Sequence, residues 1–235
     1  MKKLLFFMAL ISMTLLCACG NSAGNHQHMA TNIPETTAKK AETTTTEETT
    51  TEEPTTKDLW SLVKTYAGSG DQFIELEPFD ESIWAFYITG NEAGHHFAVT
   101  GYDKDNNYVE LFVNTADPYS GVTFDSDQET ALLEIKSAGD WQVNQFPIGL
   151  CDTIGKGETY QGSGDTVLLV RDYGFTAHII GPNSNNHFAI ITYKSNLGYD
   201  DLLVNVAEPY EGQVRLDQPA IIVVKAVGDW SIEFE

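Results

Sequence analysis

The sequence contains only three cysteines among its 235 residues, and this scarcity limits how the chain can be stabilised. Two of them, Cys17 and Cys19, lie at the end of an N-terminal apolar segment, so only Cys151 falls within the remainder of the chain. A single thiol cannot form an intramolecular disulfide. The folded part must therefore be stabilised by the burial of an apolar core.

Basic residues are also scarce. The chain has 13 lysines and arginines against 34 aspartates and glutamates, which gives a formal net charge of −21 at pH 7. Such a surface repels phosphate backbones, so we expect no nucleic-acid partner. It also disfavours charge-driven contact with anionic lipids.

The sequence has one long apolar run, at residues 4–16, and two lysines precede it. The run is too short for a membrane-spanning helix but fits a secretory signal peptide, so we predict a signal peptide over residues 1–19. Its last four residues, LCAC at positions 16–19, resemble the lipobox of bacterial lipoproteins. The alternative is an ordinary signal peptide whose cysteines have no role.

The lipobox resemblance implies that the signal is cut before Cys19 and that the Cys19 sulfur carries a lipid with long acyl chains such as palmitate. Two acyl chains on one residue give stable anchoring, whereas a single chain holds weakly. The resemblance therefore implies that the membrane is a partner through Cys19. It also implies that the protein resides on the outer face of the bacterial cytoplasmic membrane.

Residues 20–57 are rich in threonine and glutamate and contain no aromatic residue. They cannot bury enough apolar surface to offset the entropy of ordering, so we predict a disordered stalk. Such a stalk would hold a folded head away from the membrane.

From residue 58 onward, short runs of alternating apolar residues are separated by turn residues, which is typical of β-strands. The same motifs occur twice: GSGD at 68–71 and 162–165, HFAVTGY at 96–102 and HFAIITY at 187–193, LFVNTADPYSG at 111–121 and LLVNVAEPYEG at 202–212, and GDW at 139–141 and 228–230. We therefore predict an all-β protein with two tandem small β-sandwich domains from an internal duplication. The predicted boundaries are 58–146 for module 1, 147–161 for a linker between the modules and 162–235 for module 2, and each module should be able to fold alone.

The repeated GSGD, NHFAIITY, LLVNVAEPYEG and GDW motifs resemble tandem β-rich modules of surface lipoproteins from Gram-positive bacteria. Those modules have no assigned activity. The resemblance therefore implies a location and a fold, and it implies nothing about a ligand.

No catalytic signature is present, and we expect no enzyme activity and no cofactor. The repeated His96 and His187 are more simply explained as structural residues of a duplicated fold. Asp103, Asp105 and Asn107 have the spacing that opens a calcium loop, but the glycine and glutamate that such a loop needs are missing. We therefore predict an acidic hairpin turn and no metal site.

The stretch that differs most between the two copies is SIWAFY at 82–87. In the second copy, Thr176 and His178 align with Trp84 and Phe86. In a strand, one side-chain face must be core, which leaves the other face as a candidate aromatic surface. We therefore considered Trp84, Phe86 and Tyr87 as ligand-binding residues. The alternative is that the second face packs the two modules together.

These observations favour a lipid-anchored, non-enzymatic protein that acts as a surface interaction or spacer module. The alternative is a carbohydrate-binding lipoprotein that uses exposed aromatic residues around Trp84. A hydrolase with dispersed carboxylates is the third hypothesis. A glycan or a protein would be the ligand in the first two cases.

Overall fold

The computed structural model describes residues 59–79, 83–92, 94–172, 174 and 176–235. The predicted signal peptide, the lipidation site at Cys19 and the stalk at 20–57 lie outside these residues. Within them, no helix has the length and hydrophobicity needed to cross a bilayer. The described residues form seventeen β-strands, so the predicted all-β fold is confirmed.

Module 1 contains the first eight strands, arranged in two antiparallel sheets. Sheet A has the order β1-β8-β3-β6, and sheet B has the order β2-β7-β4-β5. The strand bounds are β1 Lys64–Ser69, β2 Gln72–Glu75, β3 Trp84–Gly90, β4 Phe97–Tyr102, β5 Tyr108–Thr115, β6 Tyr119–Phe124, β7 Leu132–Lys136 and β8 Asp140–Pro147.

Module 2 contains the other nine strands. Sheet C has the order β14-β13-β16-β11-β9, and sheet D has the order β10-β17-β12-β15. The strand bounds are β9 Asp152–Ile154, β10 Thr159–Ser163, β11 Thr166–Val170, β12 Thr176–Ile180, β13 Phe188–Tyr193, β14 Tyr199–Val206, β15 Glu211–Arg215, β16 Ile221–Lys225 and β17 Asp229–Phe234. Apart from β9, every strand of module 2 has an equivalent in module 1 at the same place in the strand order.

Each module has its own apolar core between its two sheets. In module 1, Phe86 and Ile88 of sheet A pack in one buried cluster with Phe97, Leu133 and other residues of sheet B. In module 2, the corresponding cluster includes Ile179, Phe188 and Ile222. Successive side chains of a strand point to opposite faces, and this alternation places every second residue in the core.

A third buried cluster lies between the modules, where the outer face of sheet A packs on the outer face of sheet C. It contains residues from both modules: Ala85, Val122, Phe124, Phe146, Ile148, Leu150, Cys151, Val167, Ile221 and Val223. The sheets are therefore stacked in the order B, A, C, D. Sheets A and C are covered on both faces, which explains why β16 reads IIVVK without alternation.

The contact between the modules also includes polar groups. The Tyr119 hydroxyl of module 1 donates a hydrogen bond to Asp165 Oδ2 of module 2 at 2.8 Å. The Val122 N–H donates to the Asp165 carbonyl at 2.9 Å. Burial, followed by the charge and the hydrogen bond of Asp165, raises the pKa of Tyr119 well above its ordinary value. The tyrosine therefore stays neutral and remains the donor of this bond.

The segment predicted to be a linker, 147–161, has a defined structure. A 3₁₀ turn at Ile148–Leu150 is followed by β9, which pairs in parallel with β11, and β10 begins at Thr159. Most of this segment therefore belongs to module 2. Ile154 lies in the module 2 core, which explains why the segment is held in place.

The contact between the modules should contribute substantially to stability. We expect Phe124→Ala to lower the free energy of unfolding by about 3–5 kcal/mol, because Phe124 is buried and its ring packs against Tyr193 of module 2 with centroids 5.5 Å apart. Phe73→Ala is the matched control, because Phe73 is 67% exposed, and it should change stability by about 0.5 kcal/mol or less. Urea unfolding measures both effects. Similar small losses for the two variants would contradict a stabilising contact between the modules.

Candidate functional site

The GSGD and GDW motifs recur because they hold each other in place. The Trp141 Nε1–H donates to the Gly70 carbonyl at 3.0 Å, and the Trp230 Nε1–H donates to the Gly164 carbonyl at 2.9 Å. A side chain at Gly68 would collide with the Trp141 ring, since an added Cβ would lie 2.5 Å from Cζ2. These motifs are therefore structural in both modules.

The repeated histidines have equivalent partners. His96 Nε2 lies 3.1 Å from Asn114 Oδ1, and His187 Nε2 lies 2.9 Å from Asn205 Oδ1. Each asparagine belongs to the neighbouring strand, β5 or β14. The histidines thus link two strands at the start of β4 and β13, which agrees with a structural role.

The aromatic stretch does not present the exposed surface that the carbohydrate hypothesis required. Trp84 and Phe86 are core residues, 5% and 0% exposed. Tyr87 packs at the contact between the modules, and its hydroxyl lies 2.9 Å from Ser120 Oγ. The hypothesis of an exposed aromatic face is therefore wrong. Trp84 and Phe86 fill the core on one strand face, and Tyr87 packs against module 2 on the other, as the alternative expected.

The alignment of this stretch was also wrong by one residue. Tyr87 lies opposite Asn144, and His178 lies opposite Glu233 in the equivalent strand pair. Counted from the GDW tryptophans, Asn144 and Glu233 are equivalent, so His178 corresponds to Tyr87. A shift of one residue moves every side chain of a strand to the opposite face.

The Asp103 loop is a hairpin turn, as predicted. Asp103 Oδ1 accepts the N–H groups of Asp105 and Asn107, each at 2.8 Å, and Oδ2 accepts the Asn107 side-chain amide at 2.8 Å. These bonds lower the pKa of Asp103, the side-chain bond from Asn107 most strongly. Among the described residues, no group of three or more His, Cys, Asp or Glu side chains is arranged to hold a metal ion.

A cavity of about 470 Å³ opens at one end of module 1, beside this hairpin. Its walls combine apolar and charged residues with Gln128, Thr130 and Gln145. The apolar part consists of Leu76, Pro78, Phe79, Trp84 and Ala131, and the charged part consists of Glu77, Asp103, Lys104, Asp105 and Glu129. Of the three aromatic residues singled out in the sequence, only Trp84 contributes to the cavity.

Trp84 is held at the cavity by the loop between β6 and β7. Gln128 Oε1 accepts the Trp84 N–H at 2.8 Å, and Gln128 Nε2 donates to the Trp84 carbonyl at 3.1 Å. The loop is built on buried Asp125, which accepts hydrogen bonds from the Asp127, Glu129 and Thr130 N–H groups and from the Thr130 hydroxyl. This arrangement fixes one wall of the cavity.

The opposite wall is held by side chains of β1. Lys64 forms an ion pair with Glu77 at 3.0 Å and donates a hydrogen bond to the Pro78 carbonyl at 2.9 Å. Its ammonium group also lies 5.6 Å from the centre of the Phe79 ring. The Tyr66 hydroxyl accepts the Glu77 N–H at 2.9 Å. Residues 76–79 are therefore positioned by β1 beside the cavity.

Gln145 is the most buried polar residue of the cavity, at 1% exposed. Its Oε1 accepts a hydrogen bond from the Tyr66 hydroxyl at 3.3 Å. Gln145 lies four residues after the GDW tryptophan, where module 2 has the core residue Phe234. Module 1 therefore has an amide lining a cavity at a position that module 2 uses for an apolar core contact.

The loop that holds Trp84 also distinguishes the modules. Six residues separate Phe124 from Ala131, whereas four separate Arg215 from Ala220. Where module 1 has buried Asp125, module 2 has Leu216, which lies in the core. Sequence reasoning missed Gln128, Gln145 and Asp125. Two differences between the copies could have indicated them: the two additional residues in the loop between β6 and β7, and Gln145 in place of Phe234.

Cys151, the one cysteine among the described residues, is not placed to act as a nucleophile. It is buried in the cluster between the modules, and burial, followed by the charge of Asp152, raises the pKa of its thiol to about 12. The nucleophilic thiolate form is therefore scarce at neutral pH.

No protein-family model matches the sequence, and no curated protein matches it. A solved regulatory subunit of a cAMP-independent protein kinase A from Trypanosoma brucei matches with 8% identity over 75% of each chain and a TM-score of 0.22. A triple mutant of that subunit, bound to cAMP in its A site, matches with 8% identity over 76% of this chain and 77% of that chain, again with a TM-score of 0.22. At these scores the matches carry no argument about this chain, and cAMP binding is not transferred to it.

We expect Asp125→Ala to destabilise the wall that holds Trp84. The variant leaves the buried Thr130 N–H and hydroxyl and the part-buried Asp127 and Glu129 N–H groups without their acceptor, so the free energy of unfolding should fall by about 2–4 kcal/mol. Amide hydrogen exchange at 127–130 should accelerate. The control is Asp127→Ala, whose side chain is exposed and whose backbone bond to Asp125 is retained. Equal effects of the two variants would mean that Asp125 does not organise the loop.

Proposed function

We propose that this protein is a lipid-anchored, non-enzymatic binding protein on the outer face of a bacterial cytoplasmic membrane, with the module 1 cavity as its ligand site. The observation that carries the proposal is the difference between the two copies of one fold. Module 1 keeps a cavity lined by amides and carboxylates at the place where module 2 completes its core. The same fold fills this region with apolar side chains in module 2 and leaves a cavity in module 1. This difference supports a binding role for the module 1 cavity.

The chemistry of the cavity favours binding over catalysis. Glu77 is paired with Lys64, and both Asp103 oxygens accept hydrogen bonds within the hairpin. The Gln128 amide is used by the Trp84 backbone, so Gln145 and the apolar lining residues are what the cavity offers to a ligand. A mainly apolar lining with a few polar groups is typical of a binding site. Trp84 and Phe86 offer no exposed ring face for stacking on a sugar, so we do not propose carbohydrate stacking.

The anchor is supported by the LCAC motif at 16–19 and by the Thr/Glu-rich composition of residues 20–57. A head on a polar stalk would reach ligands beyond the membrane surface. The acidic composition makes the lipid, rather than surface charge, the contact with the bilayer.

If Cys19 carries the lipid, Cys19→Ser should move the protein from the detergent phase to the aqueous phase in detergent partitioning of cells that express it. Cys17→Ser is the matched control, because that cysteine leaves with the signal peptide and the lipid should remain. Mass spectrometry of the mature N-terminus reads the modification directly. An unmodified N-terminus in the wild-type protein would contradict the anchor.

The ligand site can be tested on cells with a photo-crosslinking residue such as p-benzoylphenylalanine. Placed at Glu129 on the cavity wall, it should give a discrete crosslinked adduct after irradiation. The control position is Asp217, which lies in the equivalent loop of module 2 and is exposed. Absence of an adduct from Glu129, or the same adducts from both positions, would reject the cavity as the ligand site.

A further inference from the structure

The two modules differ at one sheet edge. In module 2, β9 lies beside β11 and pairs with it in parallel, with Asp152 opposite Leu168, Thr153 opposite Leu169 and Ile154 opposite Val170. In module 1 the equivalent of β11 is β2. Among the described residues, β2 pairs with β7 on one side and forms the edge of sheet B on the other.

The sequence explains why the described residues before β1 do not form an equivalent of β9. After β9, the chain turns back into β10 through Gly155, Lys156 and Gly157, and Gly157 has a φ of 77°, which favours glycine. Before β1, module 1 has Ser61, Leu62 and Val63 at the equivalent positions. Residues 59–63 instead form a turn, and Leu59 and Val63 pack in the cluster between the modules.

The edge of β2 has backbone groups directed away from its partner strand. Leu76 N–H donates to the Ala131 carbonyl of the β7 side at 2.9 Å. Hydrogen-bonding residues alternate along a strand, so the N–H and C=O groups of Phe73 and Glu75 point away from β7. In module 2 the equivalent of Glu75 is Leu169, which faces β9. The module 1 equivalent of Arg171 is Glu77, whose N–H already donates to the Tyr66 hydroxyl at 2.9 Å. The backbone groups of Phe73 and Glu75 are therefore the ones that this edge can offer to another strand.

The cavity lies next to this edge, where module 2 places a side chain of β9. Ile154 is 1% exposed and shares a core cluster with Val170 and Phe234. The module 1 equivalents of Val170 and Phe234 are Leu76 and Gln145, and both line the cavity. A strand added to β2 as β9 is added to β11 would therefore direct one side chain into the cavity.

The negative charge near β2 and the cavity favours some peptide segments over others as the added strand. Glu75 lies along the edge, and Asp105 and Glu129 lie at the cavity, with Lys104 as the nearby base. Glu77 and Lys64 neutralise each other as an ion pair. A segment with basic residues on either side of an aliphatic one complements this surface. The stalk of this chain is itself rich in glutamate, so charge disfavours it as the occupant.

We propose that module 1 binds an extended peptide segment of a partner protein by parallel strand addition to β2, with an aliphatic side chain in the cavity and basic residues flanking it. This inference rests on the proposed function, because it specifies the ligand class of the same cavity. Backbone hydrogen bonds would supply much of the affinity, and the cavity and the acidic edge would supply the selectivity.

The probe is the peptide acetyl-Lys-Thr-Ile-Gly-Lys-amide, added to the isotope-labelled chain from residue 19 carrying C19S. We expect saturable changes in the amide resonances of residues 73–77 and in the Trp84 side-chain resonance. Replacing the peptide's isoleucine with aspartate, or both of its lysines with glutamate, should weaken binding by at least about tenfold, because each change removes one predicted contact.

Backbone pairing is tested by N-methylation of the peptide. In module 2, the Ile154 carbonyl accepts the Arg171 N–H at 3.0 Å, and the N–H and C=O of one residue point to the same side of a strand. N-methylation of the peptide's isoleucine should therefore abolish binding, whereas N-methylation of its threonine should have little effect. On the protein side, Glu75→Pro should abolish binding, whereas Glu75→Ala should only weaken it through the lost charge, since proline alone also removes the N–H.

Absence of binding by the lysine peptide, resonance changes elsewhere on the surface, or equal affinity of the two N-methylated peptides would overturn strand addition. The N-methylated peptides keep the test decisive if Glu75→Pro fails to fold. Failure here can be distinguished from failure of the proposed function. An adduct from the crosslinker at Glu129 would still support a ligand in the cavity, although not one bound in this way.

Discussion

The burial of sheets A and C on both faces is the constraint on which the rest of this structure depends. Each sheet contributes one face to the core of its own module and the other to the contact between modules. The two modules consequently behave as four stacked layers with a fixed order. Asp165 also links the two modules. Its carboxylate accepts hydrogen bonds from the Ala226 N–H of module 2 and from the Tyr119 hydroxyl of module 1. The open end of module 1 is held at a fixed place on this stack.

Most of the architecture could be predicted from the sequence because it depends on alternation and on repeated turn motifs. Strands with one buried face show a period of two, and GSGD and GDW mark equivalent turns in both copies. The strand β9 could not be predicted in this way. Three residues, Asp152–Ile154, are too few to show a period, and the neighbouring glycines are typical of a loop. The position of β9 is determined by its pairing with β11, which lies further along the sequence. A local sequence pattern does not show such a pairing.

The cavity was less accessible to sequence reasoning than the fold. Gln145 and Asp125 are polar, so a pattern of apolar residues assigns them to the surface, although both are buried. Their burial depends on partners that are far apart in the sequence, such as Tyr66 for Gln145. Trp84 stands out in the sequence, but the alignment that pairs it with Thr176 is wrong by one residue. The offset of 91 positions between His96 and His187, applied to the whole strand pair, would have corrected it.

The packing of the two modules has a consequence for how many copies such a chain can join. The contact is head-to-tail, because it uses the sheet A face of one copy and the sheet C face of the other, so in principle it could propagate without limit. Several residues of the two unused faces oppose this. On sheet D, His178 and Arg215 replace Tyr87 and Phe124, and on sheet B, Thr100 and Glu134 replace Ile191 and Val223. These polar and charged replacements resemble those on the outer faces of capping repeats and disfavour a further copy at either end, although Phe73 stays exposed on the sheet B face.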